Sequence, residues 1–171
     1  PGTEPPALDE LQRLVHGWLR LPLGQRRLRQ KLARLAGAEA EAAVVAPLRV
    51  LVADDNPVNL QVMRGMLEKT GCDVESVADG AAAVARVARG GIDLVLMDAE
   101  MPVLDGAEAT RRIREAEAAR NAPRLPIVAV TAHTGEAELA ALLAAGVDDC
   151  VAKPVSLASL AARIDRIRQR R

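Results

Sequence analysis

Arg49-Val50-Leu51-Val52-Ala53-Asp54-Asp55-Asn56 is the stretch on which the fold turns. Its apolar run is continuous rather than alternating, the pattern of a strand covered on both faces, and it ends in two carboxylates. The same grammar recurs three times. Ile92-Asp93-Leu94-Val95-Leu96-Met97 runs into Asp98, Ile127-Val128-Ala129-Val130 into Thr131, and Cys150-Val151-Ala152 into Lys153-Pro154. If these strands lie parallel in one sheet, all of those polar residues gather at its carboxyl edge, where open α/β folds bind their ligands.

The segments between the strands read as helices. Pro57 suits a first helical turn, and Leu60, Met63 and Leu67 recur at helical spacing, with Val62 and Met66 widening the stripe. Gly71 is the expected left-handed cap, and Cys72 to Val77 is a short strand. Asp79-Gly80 opens an Ala-rich helix that runs through Val87 and closes at Gly90-Gly91. A loop from Ala99 to Gly106, in which Met101-Pro102 forbids continued helix, precedes a helix from about Ala107 to Ala118. Thr134-Gly135-Glu136 opens a fourth helix capped by Gly146, and Val147 to Ala152 is the fifth strand. Ser156 is the N-cap of a last helix with the stripe Leu157, Leu160, Ile164 and Ile167. Five β–α units in succession indicate a doubly wound parallel sheet with helices on both faces.

The chemistry follows from the edge residues. Asp98 ends a central strand, so its backbone is rigid while its carboxylate is expected to face solvent, and a carboxylate can attack phosphorus to form an acyl phosphate. Asp54 and Asp55 add oxygen ligands for a hard divalent cation such as magnesium or manganese. Lys153 and Thr131 supply a fixed charge and a hydroxyl for phosphoryl oxygens, which is the positioning and neutralisation that phosphoryl transfer needs.

Composition bounds the remainder. Lys plus Arg equals Asp plus Glu, 23 each, so no global basic field recruits nucleic acid. Half the residues are apolar, yet Trp18 is the sole aromatic, so the core is Leu, Val, Ala, Ile and Met. Cys72 and Cys150 lie in no metal or disulfide pattern, no apolar run is long enough to span a bilayer, and the reading is a cytoplasmic domain. Arg163, Arg166, Arg168, Arg170 and Arg171 read either as a solvated helix face or as a docking patch for an acidic partner.

Residues 1–46 have a different character from the rest of the chain. Leu8, Leu11, Leu14 and Val15 suggest one amphipathic helix, Leu28, Leu32 and Leu35 a second, and Ala38 to Ala46 a linker. Placing Pro22 on Pro154 puts Trp18 on Cys150, Leu21 on Lys153, Leu28 on Leu160, Leu32 on Ile164 and Leu35 on Ile167. This extension is therefore either a helical linker or the tail of a preceding, degenerate copy of the domain at 47–171 that lacks the lysine.

Taken together, Arg49 to Asn56, Leu96-Met97-Asp98-Ala99-Glu100-Met101-Pro102-Val103-Leu104-Asp105-Gly106, Val130-Thr131-Ala132 and Ala152-Lys153-Pro154 resemble the receiver (response regulator) domain of two-component signalling over roughly residues 47–170. The wording is most like receivers at the C-terminal end of hybrid sensor histidine kinases. The resemblance implies a flavodoxin-like fold with strand order 2-1-3-4-5. It also implies phosphoryl transfer from a phosphohistidine to Asp98, and Mg²⁺ held by Asp55, Asp98 and the backbone carbonyl of Glu100, with Asp54 acting through water. A cis Lys153–Pro154 bond is implied as well. The implied partners are a histidine kinase domain and a histidine phosphotransfer protein, with no membrane contact by this segment and a dimer through the fourth helix, fifth strand and last helix. One departure stands out: such domains carry Tyr or Phe three residues before the lysine, as a lever that reports phosphorylation, and this chain has Cys150. Glu100 and His133 occupy positions that in the family tune hydrolysis; His133 is otherwise a polar surface residue. The alternatives are a stand-alone single-domain response regulator and, in another class, a haloacid-dehalogenase-like phosphatase. The latter wants an Asp as general acid two residues after the nucleophile, where this chain has Glu100.

Overall fold

The computed structural model describes residues 47–169. The chain divides into two units, Pro1–Ala46 and Pro47–Arg171. The expectations for residues 1–46, and for Arg170 and Arg171, lie outside the described residues.

Five strands and five helices alternate: β1 Arg49–Ala53, α1 Pro57–Lys69, β2 Asp73–Val77, α2 Gly80–Ala88, β3 Leu94–Asp98, α3 Gly106–Arg120, β4 Ile127–Thr131, α4 Glu136–Ala144, β5 Asp149–Ala152 and α5 Leu157–Arg168. All pairings are parallel and the order is β2-β1-β3-β4-β5. The chain steps from β1 outward to β2, then back across to β3. The topological switch point, where such sheets open a crevice, therefore lies between the ends of β1 and β3.

Strand alternation sorts the core into two layers. Val50, Val52, Leu94, Leu96, Val128, Val130 and Val151 face one side, where Met63 and Leu67 of α1 and Leu160 and Ile164 of α5 close over them. Leu51, Ala53, Val95, Met97, Ile127 and Ala129 face the other, under Ala83 of α2, Ala109 and Ile113 of α3 and Leu142 of α4. Two expected core positions are not in the core: Val62 is 49% exposed and Leu157 is 41% exposed. The sheet covers a narrower stripe of each helix than the apolar pattern offers. Strand β3 also begins later than its sequence suggests, at Leu94, and just before it the Asp93 carboxylate accepts the Arg49 backbone N–H at 2.7 Å.

The caps are local and legible. Asn56, Asp79, Asp105 and Ser156 each accept a backbone N–H at the start of their helix, satisfying donors that would otherwise be orphaned. Gly135 at the start of α4 offers no side-chain cap, and Leu142 is the only buried residue of that nine-residue helix. Among the described residues, no helix is long and apolar enough to cross a membrane.

Two backbone features shape the loop after Asp98. Gly106 packs so tightly beneath the strand end that a Cβ there would lie 2.1 Å from the Asp98 carbonyl oxygen. Val103, 89% exposed, has φ 71°, and the Leu104 N–H reaches back to the Pro102 carbonyl at 2.8 Å. This three-residue turn is strained for a β-branched residue. Opposite outcomes are expected from substitutions at these neighbouring sites. Gly106→Ala lowers the urea-derived stability by about 1–3 kcal/mol through overpacking. Val103→Gly raises it by about 1 kcal/mol, since relief of roughly 1–3 kcal/mol of backbone strain exceeds the extra chain entropy of glycine.

Candidate functional site

The carboxyl edge of the sheet brings the expected residues together. Asp54 follows β1, Asp98 ends β3, Thr131 ends β4 and Lys153 follows β5. The Lys153 Nζ donates to Asp98 Oδ2 at 2.7 Å and lies 3.3 Å from Asp54 Oδ2. Oxygens of Asp54, Asp55 and Asp98 all lie within 4.8 Å of one another. Asp55 and Asp98 border a cleft of about 730 Å³ whose lining also includes Asn59, Glu100, Asp105 and Lys153. The Lys153–Pro154 peptide is cis, and the Lys153 N–H is tied to the Thr131 carbonyl at 2.8 Å.

The charges at this edge do not balance. Asp54 is fully buried and Asp98 is 3% exposed, so the Asp98 carboxylate does not face open solvent as the sequence suggested; it lies at the base of the cleft beneath Lys153. Burial holds the Asp98 carboxyl above its ordinary range, with the Asp54 charge adding to the rise, while Lys153 and the Glu100 N–H oppose it. For Lys153, burial favours the neutral amine, but the hydrogen bond and charge of Asp98, with Asp54 behind it, prevail and raise its pKa. Three carboxylates therefore share one ammonium. The donor set is all oxygen, it has two charges in excess, and Asp55 is exposed to the cleft, which fits a hard divalent cation that keeps part of its water.

The other expected residues have neighbours of their own. The Thr131 hydroxyl donates to the His133 carbonyl at 2.9 Å and accepts the His133 N–H at 3.0 Å, so it is paired within its own loop. The Glu100 N–H reaches Asp98 Oδ1 at 3.3 Å, and its side chain pairs with His133 Nδ1 at 2.6 Å. Glu100 is thus engaged on the cleft rim, not free as the general acid that a dehalogenase-type phosphatase needs. Cys150 is half-buried against the α2–α3–α4 core layer. Burial, then the nearby Asp149 charge, pushes its thiol up, so it is a small packing group with little thiolate. Arg163 and Arg166 lie 2.9 and 3.9 Å from Asp149 and Arg168 donates to the Thr70 carbonyl at 2.7 Å, while the Arg166 side chain stays 64% exposed, so these arginines form a partly paired, solvated helix face.

The sequence reading did not single out one contributor. The Asn59 amide donates to both oxygens of Asp54 at 3.1 Å, and the Asn56 N–H donates to Oδ1 at 2.9 Å. The signal was present in the sequence: a helical side chain leans toward the N-terminus, so a short amide in the first turn of α1 reaches back to the strand end.

With this geometry established, the comparisons with known proteins are specific. A sequence model of the response regulator receiver domain matches residues 50–165. The chain belongs to the receiver domain family. The sensor protein GacS of Pseudomonas syringae pv. syringae is 44% identical over 146 residues, which is 82% of this chain but only 16% of that protein. Among solved structures, the receiver domain of sensor histidine kinase PA1611 from Pseudomonas aeruginosa PAO1, with magnesium in its active-site cleft, superposes with TM-score 0.64 at 42% identity. That match covers 71% of this chain and 97% of the other. The receiver domain of Saccharomyces cerevisiae Ssk1, in complex with the histidine phosphotransfer protein Ypd1, gives TM-score 0.66 at 32% identity, over 69% and 86% of the two chains. The match to GacS thus spans a small part of that protein's own length.

Lys153 is the only cation facing the two buried carboxylates among the described residues. Lys153→Met is expected to lower the stability of the receiver in chelator by about 2–3 kcal/mol, somewhat less than for a fully buried pair, and added Mg²⁺ should recover part of the loss in urea titrations. The deficit should shrink in acid. Because the Asp98 pKa is raised, the fold binds that proton more tightly than the unfolded chain, so falling pH through its titration favours the folded variant.

Proposed function

We propose that Asp98 accepts a phosphoryl group from a phosphohistidine, within a phosphorelay of a hybrid sensor histidine kinase. The observation that carries this reading is the Lys153 ammonium 2.7 Å from Asp98 Oδ2 and 3.3 Å from Asp54 Oδ2, at an edge with two negative charges to spare. An Asp98 oxygen attacks phosphorus, the bond from phosphorus to the donor imidazole nitrogen breaks, and the imidazole leaves as the acyl phosphate forms. Asp55, Asp98 and the Glu100 carbonyl would hold Mg²⁺, with Asp54 acting through water, and the metal would supply charge neutralisation for the phosphoryl oxygens. Lys153 stays with the transferred group as a fixed counter-charge. Thr131 reaches it by exchanging its bond to His133 for one to a phosphoryl oxygen, and the Glu100–His133 pair at the rim limits the approach of water, which is how these two residues tune hydrolysis.

The segments that carry the site also carry exposed apolar side chains: Val58 on the first turn of α1, Val103 in the loop after Asp98 and Leu157 at the start of α5, at 64%, 89% and 41% exposure. Such side chains suit docking of an apolar helix that presents a histidine. The partners of this reading are therefore a histidine kinase domain and a histidine phosphotransfer protein. The α4–β5–α5 surface carries both signs, with Glu136 and Glu138 on α4 and Arg163 and Arg166 on α5, a mixture suited to self-pairing across a two-fold axis. Residues 1–46 join the receiver to upstream parts of a membrane-attached kinase.

Incubation with acetyl phosphate and Mg²⁺ should give a hydroxylamine-labile phosphate on Asp98, detected by mass spectrometry. Asp98→Asn and chelator treatment should each abolish it; labelling that persists in Asp98→Asn would refute the assignment.

A further inference from the structure

We infer that Asn59 is a positioning residue for the metal-binding carboxylates, and that its amide sets the affinity of the site for Mg²⁺ by fixing the orientation of Asp54. The inference rests on the metal reading given above. It begins with a problem of solvation. Asp54 is fully buried, and a buried carboxylate is tolerated only when its oxygens are hydrogen-bonded or paired. Three groups meet that need: the Asn56 N–H at 2.9 Å, the Asn59 amide at 3.1 Å to each oxygen, and Lys153 at 3.3 Å.

These groups are not equivalent. Lys153 is shared, and its shorter contact, 2.7 Å, is to Asp98. A phosphoryl group on Asp98 draws the ammonium further from Asp54. The Asn56 N–H reaches only Oδ1 and belongs to the backbone turn that leads into α1, where the Asn56 side chain is already occupied in capping the Val58 N–H at 2.9 Å. Of the three, the Asn59 amide is the group that touches both oxygens, so it fixes the rotation of the carboxylate plane as well as its position. It is also neutral. A lysine or arginine at this place would satisfy Asp54 equally well but would cancel the charge that attracts the cation; an amide satisfies two oxygens and leaves the full negative charge in place. Asn59 itself lies on the first turn of α1, held by the Pro57 start and the Asn56 cap, and it lines the same cleft as Asp55 and Asp98. Groups that orient metal ligands from behind change metal affinity by about 10–100-fold when removed.

The test is calorimetric titration of Mg²⁺ into the full chain and its variants, with circular dichroism to establish folding. Asn59→Leu keeps the side-chain length without a donor, and Asn59→Ala keeps the helix; both are expected to weaken Mg²⁺ binding about tenfold. Asn59→Gln retains the amide and is expected to stay within about threefold of the parent. If Asn59→Leu fails to fold, Asn59→Ala decides. Parent-like Mg²⁺ affinity in the folded variants would overturn the inference, as would an Asn59→Gln variant that loses as much as Asn59→Leu. Asp55→Ala serves as the control: if it too binds Mg²⁺ like the parent, the metal reading itself has failed, whereas loss in Asp55→Ala with retention in Asn59→Leu removes only the role of Asn59.

Discussion

Repulsion among Asp54, Asp55 and Asp98 is the constraint around which the receiver is built. Three carboxylates within 4.8 Å, two of them almost wholly buried, oppose folding unless they are neutralised. Lys153 meets part of that demand, and the two charges left over are what gives the site its appetite for a divalent cation and, through it, for a phosphoryl group. The rest of the fold keeps those charges close. The carboxylates sit on the two neighbouring strands that flank the switch point, Gly106 lets α3 press against the Asp98 backbone, and the Lys153 N–H is tied to β4.

The opposite pole of the sheet makes the contrast clear. There Asp148 is met by Arg114 at 2.7 Å and Arg124 at 2.8 Å, and Arg114 also donates to the Gly146 and Leu125 carbonyls. The acidic groups in that network have full counter-charges, and it serves as structure. The functional pole is acidic in excess. Between them, α4 is anchored by a single buried side chain and starts without a side-chain cap, the features of an element of low local stability. Cys150 packs as a small side chain against the same core layer. Thr131, the His133 loop it bonds and the β4–β5 pairing adjoin the Asp98 edge on this side of the sheet.

Much of this was legible in the chain. The unbroken apolar runs specify strands covered on both faces, helical spacing gives the elements between them, and Asp, Thr and Lys at the strand ends specify one polar edge. What the pattern overstated was the width of the helical core stripe: Val62 and Leu157 are apolar and exposed, because periodicity marks which residues are apolar without marking how much of a helix the sheet covers. It also misplaced Asp98 relative to solvent, since its exposure depends on which side chains crowd in from other strands.

The order of elements, their caps and the place of Asp54, Asp98, Thr131 and Lys153 at the strand ends were thus determined by the sequence alone, because they rest on contacts within a few residues. The pairing of Lys153 with Asp98, 55 residues away, the tie of the Lys153 N–H to the Thr131 carbonyl and the meeting of Glu100 with His133 across 33 residues were decided only by tertiary structure. Sheet register and helix packing set those distances, and no local periodicity encodes them.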